Sequence, residues 1–189
     1  NGKLASRFLF DGEQVEVETS VHPTRDIIIA RVTSPLIFDG RIGFALRFPG
    51  VSPDLNPDPA DWTHPESHVT QEISRNAEGL KLARRLDDTH YSVVVSGDRA
   101  LSIEKEGPHE YRIAAPRGNT VTLLVEFSQK TPITAPGAEA ARDDVAAWWQ
   151  GYWKNGGVID FTGSKDPRAR ELERRIVMSQ YRAAINQAG

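Results

Sequence analysis

Residues 49–68 combine side chains suited to chemistry: carboxylates, histidines and a tryptophan, spaced by prolines. Within this loop, Asp58, Asp61, Trp62 and His64 are the candidate substrate-binding residues. An indole ring can stack on the apolar C–H face of a sugar, while carboxylate and imidazole groups hydrogen-bond its hydroxyls. Long loops without secondary structure are typical of functional segments. The pattern predicts a carbohydrate-binding loop; the alternative is a proline-stiffened crossover between two sheets, with Trp62 buried as a plug.

Two histidines of this loop also suggest a metal site. His64 and His68 could bind a metal ion with Asp61 or Glu66 as a third ligand, in a small metal-dependent hydrolase. Their spacing would place both imidazoles on one face of a helix, but Pro65 lies between them and disfavours a helix. We therefore predict neither a metal nor another cofactor.

Two further groups of Asp and Asn residues could suggest a calcium site or a catalytic carboxylate pair, but neither group fits the pattern that such a site needs. Asp54, Asn56 and Asp58 have the spacing at which an EF-hand loop begins, but the later glycine and the glutamate at the twelfth position are missing. Asp87 and Asp88 are adjacent, so on an extended chain they point to opposite faces and cannot flank one glycosidic bond. We expect them to form a solvated turn.

The composition excludes several classes of protein. The 189 residues include 23 Lys and Arg against 26 Asp and Glu, and this balance leaves no basic surface for nucleic acid. The absence of cysteine excludes disulfides, thiolate metal sites and cysteine nucleophiles. No apolar run approaches the roughly 20 residues of a membrane span.

Short apolar stretches separated by turn residues dominate residues 1–130. Residues 7–10 and 15–19, around Asp11-Gly12, predict a hairpin, and residues 26–33 predict a central strand. About ten such stretches at spacings of roughly 8–12 residues predict a mainly β fold, an antiparallel β-sandwich. The further predicted strands are 43–48, 69–74, 80–86, 91–95, 100–104, 111–114 and 121–127.

The pattern becomes helical after the Pro/Gly-rich residues 131–137. Apolar residues recur at helical spacing on one face and end at Gly156-Gly157. The members of this face are Ala141, Val145, Trp148, Trp149 and Tyr152. The aromatic residues, with Trp153, could form a sugar-binding platform, or they could clamp the helix to its neighbours.

A second helix is predicted to begin at Asp166-Pro167, with Asp as N-cap and Pro at the first helical position. Its small and apolar residues form two stripes, so the helix should have partners on two sides. The stripes are Leu172, Ile176, Ser179 and Ala183, and Val177, Tyr181, Ala184 and Ala188. The sandwich can cover one stripe, and we expect the other to contact a further helical domain. The alternative is a helix with one wide buried face that frays beyond Tyr181.

Residues 148–153, 159–161 and 166–181 resemble the linker and first barrel helix of bacterial six-hairpin glycosidases, and residues 79–91 resemble part of their N-terminal sandwich. The layout is similar to that of maltose and kojibiose phosphorylases. The resemblance implies a supersandwich of the galactose-mutarotase-like type in residues 1–130. It also implies that residues 131–189 are the helical linker and first helix of a truncated (α/α)6 barrel.

The resemblance also implies a function. The chain would be the non-catalytic N-terminal domain of a glycoside hydrolase acting on oligo- or polysaccharides, packed against its own downstream barrel. The catalytic carboxylates of such enzymes lie on barrel loops, and no residue here matches them. Export to the periplasm or cell surface is common in the family. The alternative from a different class is a stand-alone carbohydrate-binding or adhesion module.

Overall fold

The computed structural model describes residues 2–52, 59–129 and 135–186. These residues form a large and a small antiparallel sheet, a two-stranded ladder, two short 3-10 helices (Pro35–Ile37 and Pro65–Ser67) and two C-terminal α-helices. In chain order the other elements are β1 (Lys3–Phe10), β2 (Glu13–Val21), β3 (Ile27–Thr33), β4 (Phe44–Arg47), β5 (Gly50–Val51), β6 (Ala60–Asp61), β7 (His68–Asn76), β8 (Gly79–Leu86), β9 (Thr89–Gly97), β10 (Ser102–Gly107), β11 (Glu110–Ala114), β12 (Thr120–Ser128), α1 (Ala138–Asn155) and α2 (Ala169–Asn186).

The large sheet has seven strands in the order β1-β2-β3-β12-β9-β8-β7, and the small sheet has the order β10-β11-β4. The predicted hairpin is confirmed and is longer than predicted. Asp11 and Gly12 both have positive φ angles, 49° and 81°, as a two-residue type I′ turn requires. The predicted central strand is β3, which lies between β2 and β12.

The two sheets pack face to face around one core, so the predicted antiparallel sandwich is confirmed. Alternate residues of β12 point to opposite faces of the large sheet. Val121, Leu123 and Val125 point into the core shared with the small sheet, whereas Leu124 points to the opposite face of the large sheet. Because β12 is covered on both faces, its residues from Val121 to Glu126 are all buried.

Helix α1 covers that opposite face. Its residues Ala141, Val145 and Trp149 pack on Ile27 and Ile29 of β3, as the helical spacing predicts. The buried face is narrower than predicted, because Trp148 lies at its flank and is 37% exposed. The helix ends at the predicted glycine pair, where the Gly156 amide donates to the Tyr152 carbonyl. The predicted boundary between sandwich and linker, at residue 130, lies outside the described residues.

Helix α2 packs on α1 by one side. Asp166 Oδ1 accepts a hydrogen bond from the Arg168 amide at 2.8 Å, which is the predicted capping role, although the regular helix begins only at Ala169. Tyr181 and Ala184 pack against the core beneath α1, and Tyr152 Oη donates to the Gln180 carbonyl. Neither helix in the described part of the chain has the length and apolar character needed to cross a membrane.

Candidate functional site

The predicted binding loop is more structured than expected. Its ends form the short ladder β5–β6, in which Gly50 pairs with Asp61, and the 3-10 helix Pro65–Ser67 follows. This folds Asp61, Trp62 and His64 into a tight turn. Asp58 lies outside the described residues, as do Asp54 and Asn56 of the rejected calcium pattern.

Asp61 organises this turn. Its Oδ1 accepts hydrogen bonds from the amide and the hydroxyl of Thr63, at 2.8 and 2.7 Å, and its Oδ2 lies 2.7 Å from His64 Nδ1. The Thr63 hydroxyl, then the Thr63 amide and His64, hold the pKa of Asp61 well below its usual range. The same contact with Asp61 raises the pKa of His64. The result is a carboxylate–imidazole pair in which the imidazole of His64 is exposed and the carboxylate of Asp61 is largely shielded.

Trp62 stands beside this pair and is 55% exposed. The alternative is therefore wrong in making Trp62 a buried plug, although the segment does connect β4 of the small sheet to β7 of the large sheet, as a crossover would. An open indole next to an exposed imidazole offers both a stacking face and a hydrogen-bonding group. A cleft of about 810 Å³ lies elsewhere, between Trp153 at the end of α1 and the Tyr181 side of α2, so the predicted binding residues do not line it.

A buried cationic cluster lies under the turn. Arg84 of β8 is 2% exposed, and its guanidinium lies 4.5 Å from the centre of the Phe48 ring. Two buried histidines, His68 and His109, stack on each other with their ring centroids 3.7 Å apart. Among the described residues, no carboxylate forms an ion pair with Arg84, so neutral acceptors alone satisfy this buried charge.

Hydrogen bonds connect this cluster to the turn. Arg84 donates to His68 Nδ1 at 2.7 Å and to the Thr70 hydroxyl, which is then free to donate to His109 Nδ1 at 2.6 Å. His109 Nε2 in turn donates to the Pro65 carbonyl at 2.7 Å. Because a guanidinium can only donate, His68 accepts through Nδ1 and is the neutral Nε2–H tautomer. The chain of hydrogen bonds anchors the segment that carries Asp61, Trp62 and His64 to the sandwich core.

Sequence reasoning missed this cluster, although the pattern of β8 contains a signal for it. Leu80 and Leu82 are buried, and period two places Arg84 at the next inward position of the same strand. A charged residue at an inward position is rare unless it is paired.

The buried cluster also changes the acidity of His68. Burial first, and then the neighbouring His109 and Arg84, lower the pKa of His68 to about 4.

The structure separates the residues of the suggested metal site. His64 is exposed in the turn, whereas His68 is buried and its Nδ1 accepts from Arg84. Within residues 2–52, 59–129 and 135–186, no three histidine or acidic side chains come together in a way that could hold a metal ion.

The adjacent carboxylates Asp87 and Asp88 connect β8 to β9, so the predicted turn is confirmed. Asp87 has a φ of 49°.

The aromatic residues of α1 form a clamp. The Trp149 ring contacts Trp148, Tyr152, Trp153 and Tyr181, with centroid distances of 4.9 to 6.1 Å. Because Trp149 is also buried against the large sheet, it links the sandwich, α1 and α2. This arrangement favours the clamp over the sugar-binding platform.

No protein-family model matches this chain, and a search of curated proteins finds no significant match.

Proposed function

We propose that this chain is the non-catalytic N-terminal sandwich and linker of a glycoside hydrolase, and that it packs against a catalytic (α/α)6 barrel through α2. The observation that carries the proposal is the open side of α2. Leu172, Ser179 and Ala183 of the first predicted stripe are exposed, while Tyr181 and Ala184 of the second pack towards α1. A helix with small and apolar residues on a side that nothing covers is typical of a helix at a domain interface.

The clamp suits this role. Trp149 fixes α1 to the sheet and contacts Tyr181 of α2, so α2 is held in one orientation before a further domain packs on it. The nature of that domain rests on the resemblance of residues 148–153 and 166–181 to six-hairpin glycosidases. In such an enzyme the acid and base carboxylates would come from the barrel and not from this chain. Export to the periplasm or cell surface is part of the same proposal.

Leu172→Asp tests the proposed interface. Leu172 is 50% exposed, so in the isolated chain we expect the substitution to change the free energy of unfolding by less than about 0.5 kcal/mol. In the full-length source protein the new carboxylate would be buried without a partner, at a cost of about 3 kcal/mol. We expect a lower midpoint of thermal unfolding and lower glycosidase activity there.

Ile73→Asp is the matched control, since Ile73 is 56% exposed and lies on the edge strand β7, three strands away from β12, against which α1 and α2 pack. It should affect the isolated chain and the full-length protein equally. Equal effects of Leu172→Asp in the two proteins would contradict the proposed packing.

A second candidate function is a carbohydrate-binding module that uses Trp62, Asp61 and His64, together with Asp58. The exposed indole beside the imidazole favours it. Titration with soluble malto-, cello- and xylohexaose, followed by tryptophan fluorescence, tests it. If the module binds one of these sugars, Trp62→Ala should weaken binding about tenfold or more. Trp148→Ala is the control, because it removes an indole ring that lies outside the turn, and it should leave sugar binding unchanged. Absence of binding by the unmodified protein would exclude this candidate for these sugars.

A further inference from the structure

The edge strands of the two sheets differ in how well they are protected from pairing with another chain. β10 contacts β7, and each of these edge strands has an irregular register, between Lys105 and Gly107 and between Glu72 and Ser74. β4, the other edge of the small sheet, is only four residues long. Irregularity, cover by a neighbouring element and short length all hinder edge-to-edge pairing. The remaining edge strand, β1, differs from these three.

β1 is a long and regular edge strand. Its eight residues pair with β2 without a register shift, and all eight are exposed. Lys3 lies 2.8 Å from Glu18 of β2, and Arg7 lies 2.9 Å from Glu16. Because both cations are held against β2, they protect the edge less than free lysines would. Within the described residues, no backbone hydrogen bond joins β1 to any strand other than β2.

The hairpin turn determines which backbone groups of β1 point away from β2. In a two-residue hairpin, the residues that flank the turn, here Phe10 and Glu13, exchange both backbone hydrogen bonds. Every second residue of β1, counted back from Phe10, therefore bonds to β2. The residues between them direct their N–H and C=O groups to the outer edge. These residues are Lys3, Ala5, Arg7 and Leu9.

A second copy of β1 fits this edge in one antiparallel register, in which Ser6 lies opposite Ser6 of the second copy. Ala5 then lies opposite Arg7 of the second copy, and Lys3 lies opposite Leu9, so the residues with outward backbone groups meet each other. A shift of two residues would place Arg7 opposite Arg7, or Lys3 opposite Arg7, and like charges directly opposite are destabilising. A shift of one residue would mismatch the backbone groups.

The apolar side chains on the core side of β1 would gain cover from this pairing. The 3-10 helix Pro35–Ile37 contacts β2, but it leaves Leu4 and Phe8 of β1 74% and 49% exposed. In the Ser6 register, Leu4 lies opposite Phe8 of the second copy in a non-hydrogen-bonded pair, where facing side chains approach most closely. The paired strands would bury roughly 1,000 Å² in total, which is at the lower end for a specific interface.

We infer that the chain forms a two-fold symmetric dimer through β1, in which two seven-stranded sheets join into one continuous antiparallel sheet. The partner is a second copy of this chain, because β1 pairs with itself without opposing like charges. The contact uses the outer edge of β1 in both copies, so assembly ends at the dimer. The inference does not depend on the proposed function, because it uses the edge of β1 and not the open side of α2.

Single cysteines test the register, because the chain contains none. Two Ser6→Cys side chains would face each other at the dimer axis with Cα atoms about 4.5 Å apart, a separation that a disulfide spans. Leu9→Cys is the matched control on the same strand, since the two Leu9 positions would lie roughly 20 Å apart. With oxidised glutathione as oxidant, we expect Ser6→Cys to form covalent dimers about tenfold faster or more. Equal rates for the two variants would overturn the inference.

Charge substitutions at Ala5 test the same contact without a cross-link. Sedimentation equilibrium of the unmodified chain should show a dimer with a dissociation constant on the order of 10 µM. Ala5→Lys sets a cation opposite Arg7 of the second copy and should weaken the dimer about fivefold or more, whereas Ala5→Glu should strengthen it. Within one chain Ala5 lies opposite Glu18, so the two substitutions should affect the stability of the monomer in the reverse order.

This reversal separates dimerisation from folding. Dimer constants that rank the two Ala5 variants as their monomer stabilities do would overturn the inference. An unmodified chain that stays monomeric up to about 200 µM would overturn it as well.

Discussion

Lowering the pH from 6.5 to 4 is expected to reduce the free energy of unfolding by up to about 3 kcal/mol through His68 alone. Burial beside His109 and Arg84 lowers the pKa of His68 from 6.5 to about 4. The unfolded chain therefore binds more protons than the native state between these pH values. The stabilisation is fully present above pH 6.5 and is lost as the pH falls towards 4.

Urea denaturation at a series of pH values measures this effect, and His68→Gln isolates it. We expect the variant to lose most of the decrease between pH 6.5 and 4. His64→Gln is the matched control: His64 is exposed and its pKa is raised, so any stabilisation it gives is present at low pH and is lost as the pH rises. The pKa of Glu171 is about 2, so its titration acts mainly below this range. An equally steep decrease in the His68→Gln variant would contradict the role given to the buried cluster.

Trp149→Ala is expected to have the largest effect of any single substitution discussed here, a loss of about 3–5 kcal/mol in the free energy of unfolding. Trp149 is 7% exposed and belongs to the core formed by β3, β12 and α1, and its ring also contacts Tyr181. Truncation to alanine removes the side chain that joins the large sheet, α1 and α2. Hydrogen exchange should show α2 exchanging faster than the strands of the large sheet.

Trp62→Ala is the control for this prediction, because it removes the same side chain from an exposed position. We expect it to change the free energy of unfolding by less than about 0.5 kcal/mol. Similar losses for the two variants would mean that Trp149 does not clamp α1 and α2 to the sandwich.

Local patterns in the sequence predicted most of the fold. The period-two strands and the Asp11-Gly12 turn predicted the hairpin β1–β2, since register and turn type are decided by neighbouring residues. The helical spacing of Ala141, Val145 and Trp149 predicted the face of α1 that is buried. The exposure of Trp148 could not be predicted from spacing, because it depends on the width of the contact between α1 and the sheet.

The environment of the candidate site was harder to predict, because it depends on contacts between distant residues. The loop is held by the hydrogen bond from His109 to the Pro65 carbonyl, between residues 44 positions apart. Arg84 lies in the predicted strand 80–86, but its burial among neutral partners follows from the packing of β7, β8 and β11. Only the turn around Asp61 is local, since Thr63 and His64 are its neighbours in sequence.

The coding sequence of the source gene tests the central claim most directly. If this chain is the N-terminal sandwich and linker of a glycosidase, several hundred codons should follow Gly189 and encode paired amphipathic helices with candidate acid and base carboxylates. The search for the catalytic site would then move to that region. A stop codon directly after Gly189 would contradict the claim, and the turn around Asp61, Trp62 and His64 would become the main candidate for function.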